Sequence, residues 1–125
     1  MNWKEAQRLI KVHVKIGSDL NTQRSNYRFV EGVESPISSA RYGYDNETGF
    51  VVSIGQSNKI KIPWSMLEEC FHQLGSPNGY GNDLFRERFP LQHKDHPCHV
   101  HVVGQIFVVA GIAKVEDNRY RAIVV

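Results

Sequence analysis

The amino-acid sequence predicts an α+β fold, in which helical and strand patterns occupy separate parts of the chain. Apolar residues recur every three or four positions near the start and again after Pro63, as in amphipathic helices. Between these parts, short β-branched or alternating runs are separated by turn residues, which is typical of antiparallel strands. With 125 residues, of which 41% are hydrophobic and 22% charged, the chain is predicted to form a single globular domain over residues 1–125.

The first predicted element is a helix over residues 3–16. Trp3, Ala6 and Ile10 fall on one face of this helix, so that face is expected to be buried. Gly17 follows, and glycine readily takes the left-handed conformation in which many helices end.

The same helix carries four basic residues, Lys4, Arg8, Lys11 and Lys15, at a spacing of 4-3-4. On a helix they fall within an arc of roughly 60°. Like charges four residues apart destabilise a helix by a few tenths of a kcal/mol, and phosphate groups would relieve that repulsion. The four residues are therefore predicted to bind nucleic acid. The alternative is a solvated face whose long side chains cover apolar surface.

The middle of the chain is predicted to form an antiparallel β-meander. Residues 27–30, 37–44, 50–54 and 59–62 have the composition of strands, and the last of these alternates as a half-exposed strand should. Residues 45–49 and 55–58 are rich in turn-forming residues and are predicted to connect the strands.

Three helices are predicted to follow Pro63. Ser65 and Glu68 have the spacing of a capping box, in which two side chains satisfy the free N–H groups at a helix start. Gly75 is expected to end this helix. Asn82 is predicted to cap a second, short helix that stops at Pro90.

The third helix is predicted over residues 97–110, with a proline at its first position and Gly111 just past its end. A hairpin with a turn at Gly104 is the alternative, because the stretch is rich in valine. Residues 112–116 and 119–124 are predicted to form a terminal β-hairpin.

The order of elements from residue 65 onward resembles the end of a winged-helix domain. The resemblance covers about half of the chain and is carried by residues 104–121, GQIFVVAGIAKVEDNRYR, where a helix stops at Ala-Gly and two wing strands follow. It implies that Lys114, Arg119 and Arg121 on the wing contact phosphates. The sequence departs from the family in two respects: the helix in the recognition position is apolar nearly all round, and the β-meander has no counterpart.

Four of the six histidines lie within residues 93–101. Zinc needs three or four ligands that converge at about 2.0–2.3 Å. On a helix Cys98 and His101 share a face, whereas on a strand His99 and His101 do, and neither arrangement supplies a closed set. The histidines are therefore predicted to be structural, with no metal and no cofactor. In the alternatives, His96, Cys98 and His101 hold a metal or a small molecule, or Cys98 acts as a nucleophile with a histidine as its base.

The remaining features restrict the class of protein. A net charge of +2 is too small to predict a polyanionic partner by itself. Two cysteines are too few for a disulfide framework, and the sequence shows neither a signal-peptide pattern nor an apolar run long enough for a membrane span. A cytoplasmic location without membrane contact is therefore predicted.

The predicted function is non-enzymatic: binding of nucleic acid, or regulation, with Lys4, Arg8, Lys11 and Lys15 assisted by Arg119 and Arg121. One alternative is a homo-oligomeric interaction module, most simply a dimer, because residues 122–125 are wholly apolar and suit an edge strand. The other is a small-molecule or metal-binding protein that uses the histidines of residues 93–101.

Overall fold

The computed structural model describes residues 1–123, and within them five helices and five strands form an α+β fold. The helices are α1 (Trp3–His13), α2 (Trp64–Gln73), α3 (Asn82–Arg88), α4 (Pro90–Asp95) and α5 (His99–Val109). The strands are β1 (Phe29–Ser39), β2 (Tyr44–Ser53), β3 (Lys59–Pro63), β4 (Ala113–Glu116) and β5 (Arg119–Ala122). The predicted order of a helix, an antiparallel meander, further helices and a terminal hairpin is confirmed.

Helix α1 begins as predicted but ends three residues early. The Asn2 side chain accepts a hydrogen bond from the Glu5 N–H at 2.8 Å and so caps its start. Val14 is already extended, because the chain leaves the helix there and runs beside β1, to which residues 17 and 18 are hydrogen-bonded. Gly17 does have a positive φ of 91°, but its N–H donates to the Val30 carbonyl of β1 rather than to the helix. The predicted helical position of residues 14–16 is therefore wrong.

Strands β1, β2 and β3 form an antiparallel sheet in that order, with Val30 opposite Val52 and Phe50 opposite Ile62. These four side chains are all at most 1% exposed, so the face that they share lies in the core. The helices cover this face and enclose the core with apolar residues such as Met66 of α2 and Phe107 of α5.

The turn predicted over residues 45–49 is wrong, because those residues lie inside β2. The chain reverses before them, at residues 40–43, where Gly43 takes a positive φ of 74°. Gly49 does not turn the chain, and glycine is needed there for strand packing. A Cβ atom at this position would overlap the Ile62 carbonyl, so glycine permits β2 and β3 to approach closely.

The start of α2 also differs from the sequence prediction. Pro63 stands at the N-cap position and offers no side-chain hydrogen bond. The Ser65 hydroxyl donates instead to the Glu47 carboxylate of β2, so the predicted capping box does not form. The helix depends on burial of its apolar face rather than on its cap.

The helical half contains one helix more than predicted. Residues 82–88 form α3, which ends before Pro90 as expected, but Asn82 is its first helical residue and Gly81 its N-cap, so the predicted cap by Asn82 is wrong. Pro90 does not begin a loop. Pro90 is instead the first residue of α4, a position where its missing N–H and fixed φ are both favourable.

Residues 97–110 contain a helix, as predicted, and the alternative hairpin is excluded. Helix α5 is buried along most of its length, including Val102, Val103 and Ile106. The hairpin of β4 and β5 follows, and its turn is formed by Asp117 and Asn118 at positive φ. None of the described helices is long and apolar enough to cross a membrane.

Candidate nucleic-acid interface and a histidine-lined cavity

The four basic residues predicted to bind nucleic acid are exposed on one side of the molecule, and we call them the α1 basic face. Lys4, Arg8 and Lys11 lie on α1, opposite the buried Ala6 and Ile10. Lys15 lies just beyond the helix. Its ammonium group nevertheless donates to the Lys11 carbonyl at 3.2 Å, so its charge stays beside the end of α1.

The α1 basic face lacks carboxylate partners. No Asp or Glu among the described residues forms an ion pair with any of its four cations, whereas six other basic residues of the chain do form such pairs. The ammonium group of Lys11 lies 5.5 Å from the centre of the Trp64 ring, which is a cation–π distance and leaves the charge uncompensated. The positive potential of this surface is therefore available to an outside partner.

An apolar hollow of about 220 Å³ adjoins this surface. Lys11 and Lys15 stand at its edge, and Val14, Val33 and Phe50 line it. Glu34 also lines the hollow but forms no ion pair with either lysine.

The two arginines of the terminal hairpin are held by internal contacts. Arg119 donates to the carbonyl oxygens of Asn78 and Gly79 and pairs with the Asp83 carboxylate at 2.8 Å. This arrangement lowers the pKa of Asp83 through the hydrogen bond from Arg119. Arg121 donates to the Pro77 carbonyl and pairs with Glu116. Both guanidinium groups therefore stabilise the hairpin, and they are less available for phosphate than the resemblance to a winged helix implied.

Helix α5, which would be the recognition helix of a winged-helix domain, belongs to the core. Seven of its eleven residues are buried, and none is fully exposed. A helix that reads bases needs polar side chains on an open face. His101 and Gln105 are the polar candidates, and both lie within hydrogen-bonding distance of the Tyr120 hydroxyl.

The clustered histidines make different hydrogen bonds, although the rings of His93 and His99 both lie against Phe85 and the His96 ring lies 6.1 Å from that of His99. His93 is hydrogen-bonded to the Asn82 side chain, His99 stacks on Phe85 and His101 contacts Tyr120. Within residues 1–123, no three His, Cys, Asp or Glu side chains are placed to hold a metal ion together. The structure therefore does not gather the candidate ligands His96, Cys98 and His101 around one point.

Cys98 lies just before α5, where a helix N-terminus favours the thiolate. Burial has the opposite effect and prevails, because the pKa of the thiol is raised even though the nearby Arg28 charge lowers it. The group is therefore a protonated thiol at neutral pH, which is a poor nucleophile.

A cavity with a polar lining, which we call the His99 cavity, was not predicted from the sequence. Its volume is about 230 Å³, and it is lined by the end of β1, the β1–β2 connection, the start of β2, β3, His96 and the start of α5. Its polar lining includes Ser38, Ser39, Tyr42, Tyr44, Lys61 and His99. These residues are up to about sixty positions apart in sequence, so no local motif could have indicated the cavity.

His99 is held in one tautomer in this cavity. Its Nδ1 lies 2.8 Å from the His96 carbonyl, which can only accept, so Nδ1 carries the proton. Burial lowers the pKa of His99 to about 4, so the ring is neutral at pH 7. Nε2 therefore presents a lone pair, and it forms no hydrogen bond with the described protein groups.

A network of three side chains fixes one wall of the His99 cavity. The Arg41 guanidinium donates two hydrogen bonds to the Asp95 carboxylate, at 2.6 and 2.8 Å, and the Tyr42 hydroxyl donates a third. The Arg41 hydrogen bond, followed by that of Tyr42, lowers the pKa of Asp95 to about 2. The network ties the connection between β1 and β2 to the end of α4, which positions the tyrosine against the cavity.

Comparison of this chain with known protein families, with curated proteins and with solved structures finds no match. The winged-helix resemblance of the second half therefore stays a prediction.

Proposed function

We propose that the protein binds nucleic acid through the α1 basic face, by contact with backbone phosphates. The observation that carries this proposal is the exposure of all four cations together with the absence of carboxylate partners for them within residues 1–123. Three uncompensated charges at the spacing of a helix surface, with the Lys15 ammonium held beside the end of α1, form a compact positive patch. Phosphate groups would replace the repulsion between them with attraction.

The burial of α5 supports backbone contact rather than base reading. Phosphates carry no direct sequence information, so binding through them gives similar affinity for many sequences. The turn of the chain after α5 into β4 and β5 supports the proposed relation to winged-helix domains. If the hairpin is a wing, its arginines mainly bind residues 77–83 of the same chain and so hold the wing in place.

The proposal includes a cytoplasmic location. Both cysteines, Cys70 and Cys98, are free thiols, which supports a reducing compartment.

The experiment that tests the proposal measures affinity for duplex DNA over a range of salt concentrations. Each neutralised phosphate contributes about 0.9 to the slope of log affinity against log salt. The variant with glutamine in place of Lys4, Arg8, Lys11 and Lys15 should therefore have a slope smaller by about three to four. All four side chains are exposed, so the variant is expected to fold.

Arg86 and Lys94 provide the matched control. Both are exposed, neither forms an ion pair among the described residues, and both lie on α3 or α4 rather than on α1. Their double replacement by glutamine should leave most of the slope intact. Equal slopes for the parent and the α1 variant would overturn the proposal.

A further inference from the structure

We propose that the His99 cavity binds a small phosphate-bearing anion, recognised both by its charge and by a hydroxyl group on its phosphorus. This site is separate from the α1 basic face, and the proposal does not depend on nucleic-acid binding.

The charge of the lining favours an anion. Lys59 and Lys61 line the cavity, and no Asp or Glu does. Lys59 is paired with Glu31 at 2.8 Å, so its charge is largely compensated. Lys61 has no carboxylate partner among the described residues, so its positive charge is uncompensated, and the ring of His96 also lines the cavity without adding a negative charge.

The hydroxyl groups of the lining can donate to the oxygen atoms of such an anion. Ser38 and Ser39 each accept a hydrogen bond from a backbone N–H at 3.3 Å, which leaves their own protons available. Tyr44 accepts from the Gln92 side chain at 2.8 Å and likewise keeps its proton free. Three hydroxyl donors and one ammonium group are enough to surround a tetrahedral anion.

His99 adds an acceptor to this set of donors. The hydrogen bond from Nδ1 to the His96 carbonyl leaves a lone pair on Nε2, and the ring is held by stacking on Phe85 at a centroid distance of 5.7 Å. An acceptor next to a bound anion is unfavourable unless the anion supplies a proton. Inorganic phosphate and phosphate monoesters with one P–OH group supply it, whereas sulfate and phosphodiesters do not.

The experiment compares three probes with the intact protein by calorimetry and by chemical-shift titration at pH 6. Phosphate should bind at least about tenfold more tightly than sulfate, because an unpaired buried acceptor costs about that factor or more. Dimethyl phosphate, a diester without a P–OH group, should bind as weakly as sulfate. This comparison also separates a small phosphate ligand from the phosphodiesters of a nucleic-acid backbone.

Two variants assign the binding to the cavity. Lys61→Gln should weaken phosphate binding about tenfold, because a charge-assisted hydrogen bond is lost. His99→Phe, which keeps an aromatic ring against Phe85, should bind phosphate and sulfate with about equal affinity. Thermal unfolding of both variants checks that they are folded, and Lys61→Gln alters only an exposed side chain.

Lys94→Gln is the matched control, since Lys94 is exposed and does not line the cavity. Phosphate affinity should be unchanged in this variant and in the glutamine variant of the α1 basic face. Equal affinity for phosphate and sulfate would overturn the inference, as would unchanged phosphate affinity in Lys61→Gln. DNA binding is tested with the α1 variant, and phosphate binding is tested with the cavity variants. The failure of one proposal can therefore be distinguished from the failure of the other.

Discussion

His99 is a buried side chain whose protonation state depends on its surroundings. It is 2% exposed, its Nδ1 proton is used by the His96 carbonyl, and its ring packs against Phe85. A second proton would place a charge on a ring that burial has removed from water, which explains why its pKa falls from 6.5 to about 4. The folded protein therefore excludes a proton that the unfolded chain accepts.

The stability of the protein should consequently decrease as pH falls from 6.5 to 4. In this window the unfolded chain protonates His99 and the folded chain does not, so protons favour unfolding. The depressed pKa implies a loss of about 2 kcal/mol in the free energy of unfolding between pH 7 and pH 4.5. Denaturant unfolding at the two pH values measures it, and His99→Phe should lose that part of the pH dependence.

Two other histidines serve to check this result. His101 also has a pKa lowered by burial, but it is present in both the parent and His99→Phe, so its contribution cancels in the comparison. His72 is 62% exposed, and His72→Gln should keep the pH dependence of the parent. The same pH dependence in His99→Phe and in the parent would contradict the prediction.

The terminal hairpin packs on α5 with the ring of Tyr120. Tyr120 of β5 lies directly over Gly104, and its hydroxyl is 3.0 Å from Nδ1 of His101. A Cβ atom on residue 104 would overlap the Tyr120 ring, so glycine in the middle of α5 is required by packing. Its low helix propensity is the cost of that close approach.

Gly104→Ala should therefore destabilise the protein, although alanine is the better helix former. Propensity alone predicts a gain of about 1 kcal/mol. Displacement of a fully buried tyrosine predicts a net loss of about 1–3 kcal/mol, as for other overpacked cores. Denaturant unfolding shows whether the free energy of unfolding rises or falls in Gly104→Ala. Gly55→Ala is the control, because nothing lies within 4 Å of a Cβ there and no strained φ is required, so its stability should be nearly unchanged.

The elements were predictable wherever the sequence pattern arises from burial, and less so wherever it arises from turn-forming residues. The apolar periodicity of α1, α2 and α5 follows directly from the faces that they bury. Asp45, Asn46 and Gly49 have turn chemistry but lie in β2, because β2 must continue past them to pair with β1. Tertiary pairing thus overrides the local preference.

The predicted dimer depended on a free edge of the last strand. The structure supplies this edge with a partner, since the backbone N–H groups and carbonyls of Tyr80 and Tyr120 exchange two hydrogen bonds of 2.8 Å. Val124 and Val125, the end of the predicted strand, lie outside the described residues. The centre of β5 is therefore not open to another copy of the chain.

We accordingly expect the protein to sediment as a monomer at tens of micromolar. Ile123, which is 43% exposed, should then tolerate replacement by lysine without a change in mass or in folding. A parent that sediments as a dimer and becomes a monomer as Ile123→Lys would contradict this expectation and restore the terminal-strand dimer.

The two candidate sites differ in how far the sequence could indicate them. The α1 basic face was predictable because three of its cations lie on a single helix and the fourth follows it directly. The His99 cavity requires Ser38, Tyr44 and Lys61 from the sheet to meet His99 from α5. The proximity of these side chains depends on how the sheet packs against the helices, which a single sequence does not reveal.

The pairing of Tyr80 with Tyr120 also affects the order in which a growing chain can reach its final structure. These residues are forty positions apart, and the contacts of Arg119 with residues 78–83 span a similar distance. A ribosome that adds about 5–20 residues per second would need roughly 2–8 s between the two tyrosines. During that interval the backbone groups of Tyr80 must bond to water, and the ring of Tyr120 does not yet cover α5. The helical half can therefore complete its packing only after the hairpin has emerged from the ribosome.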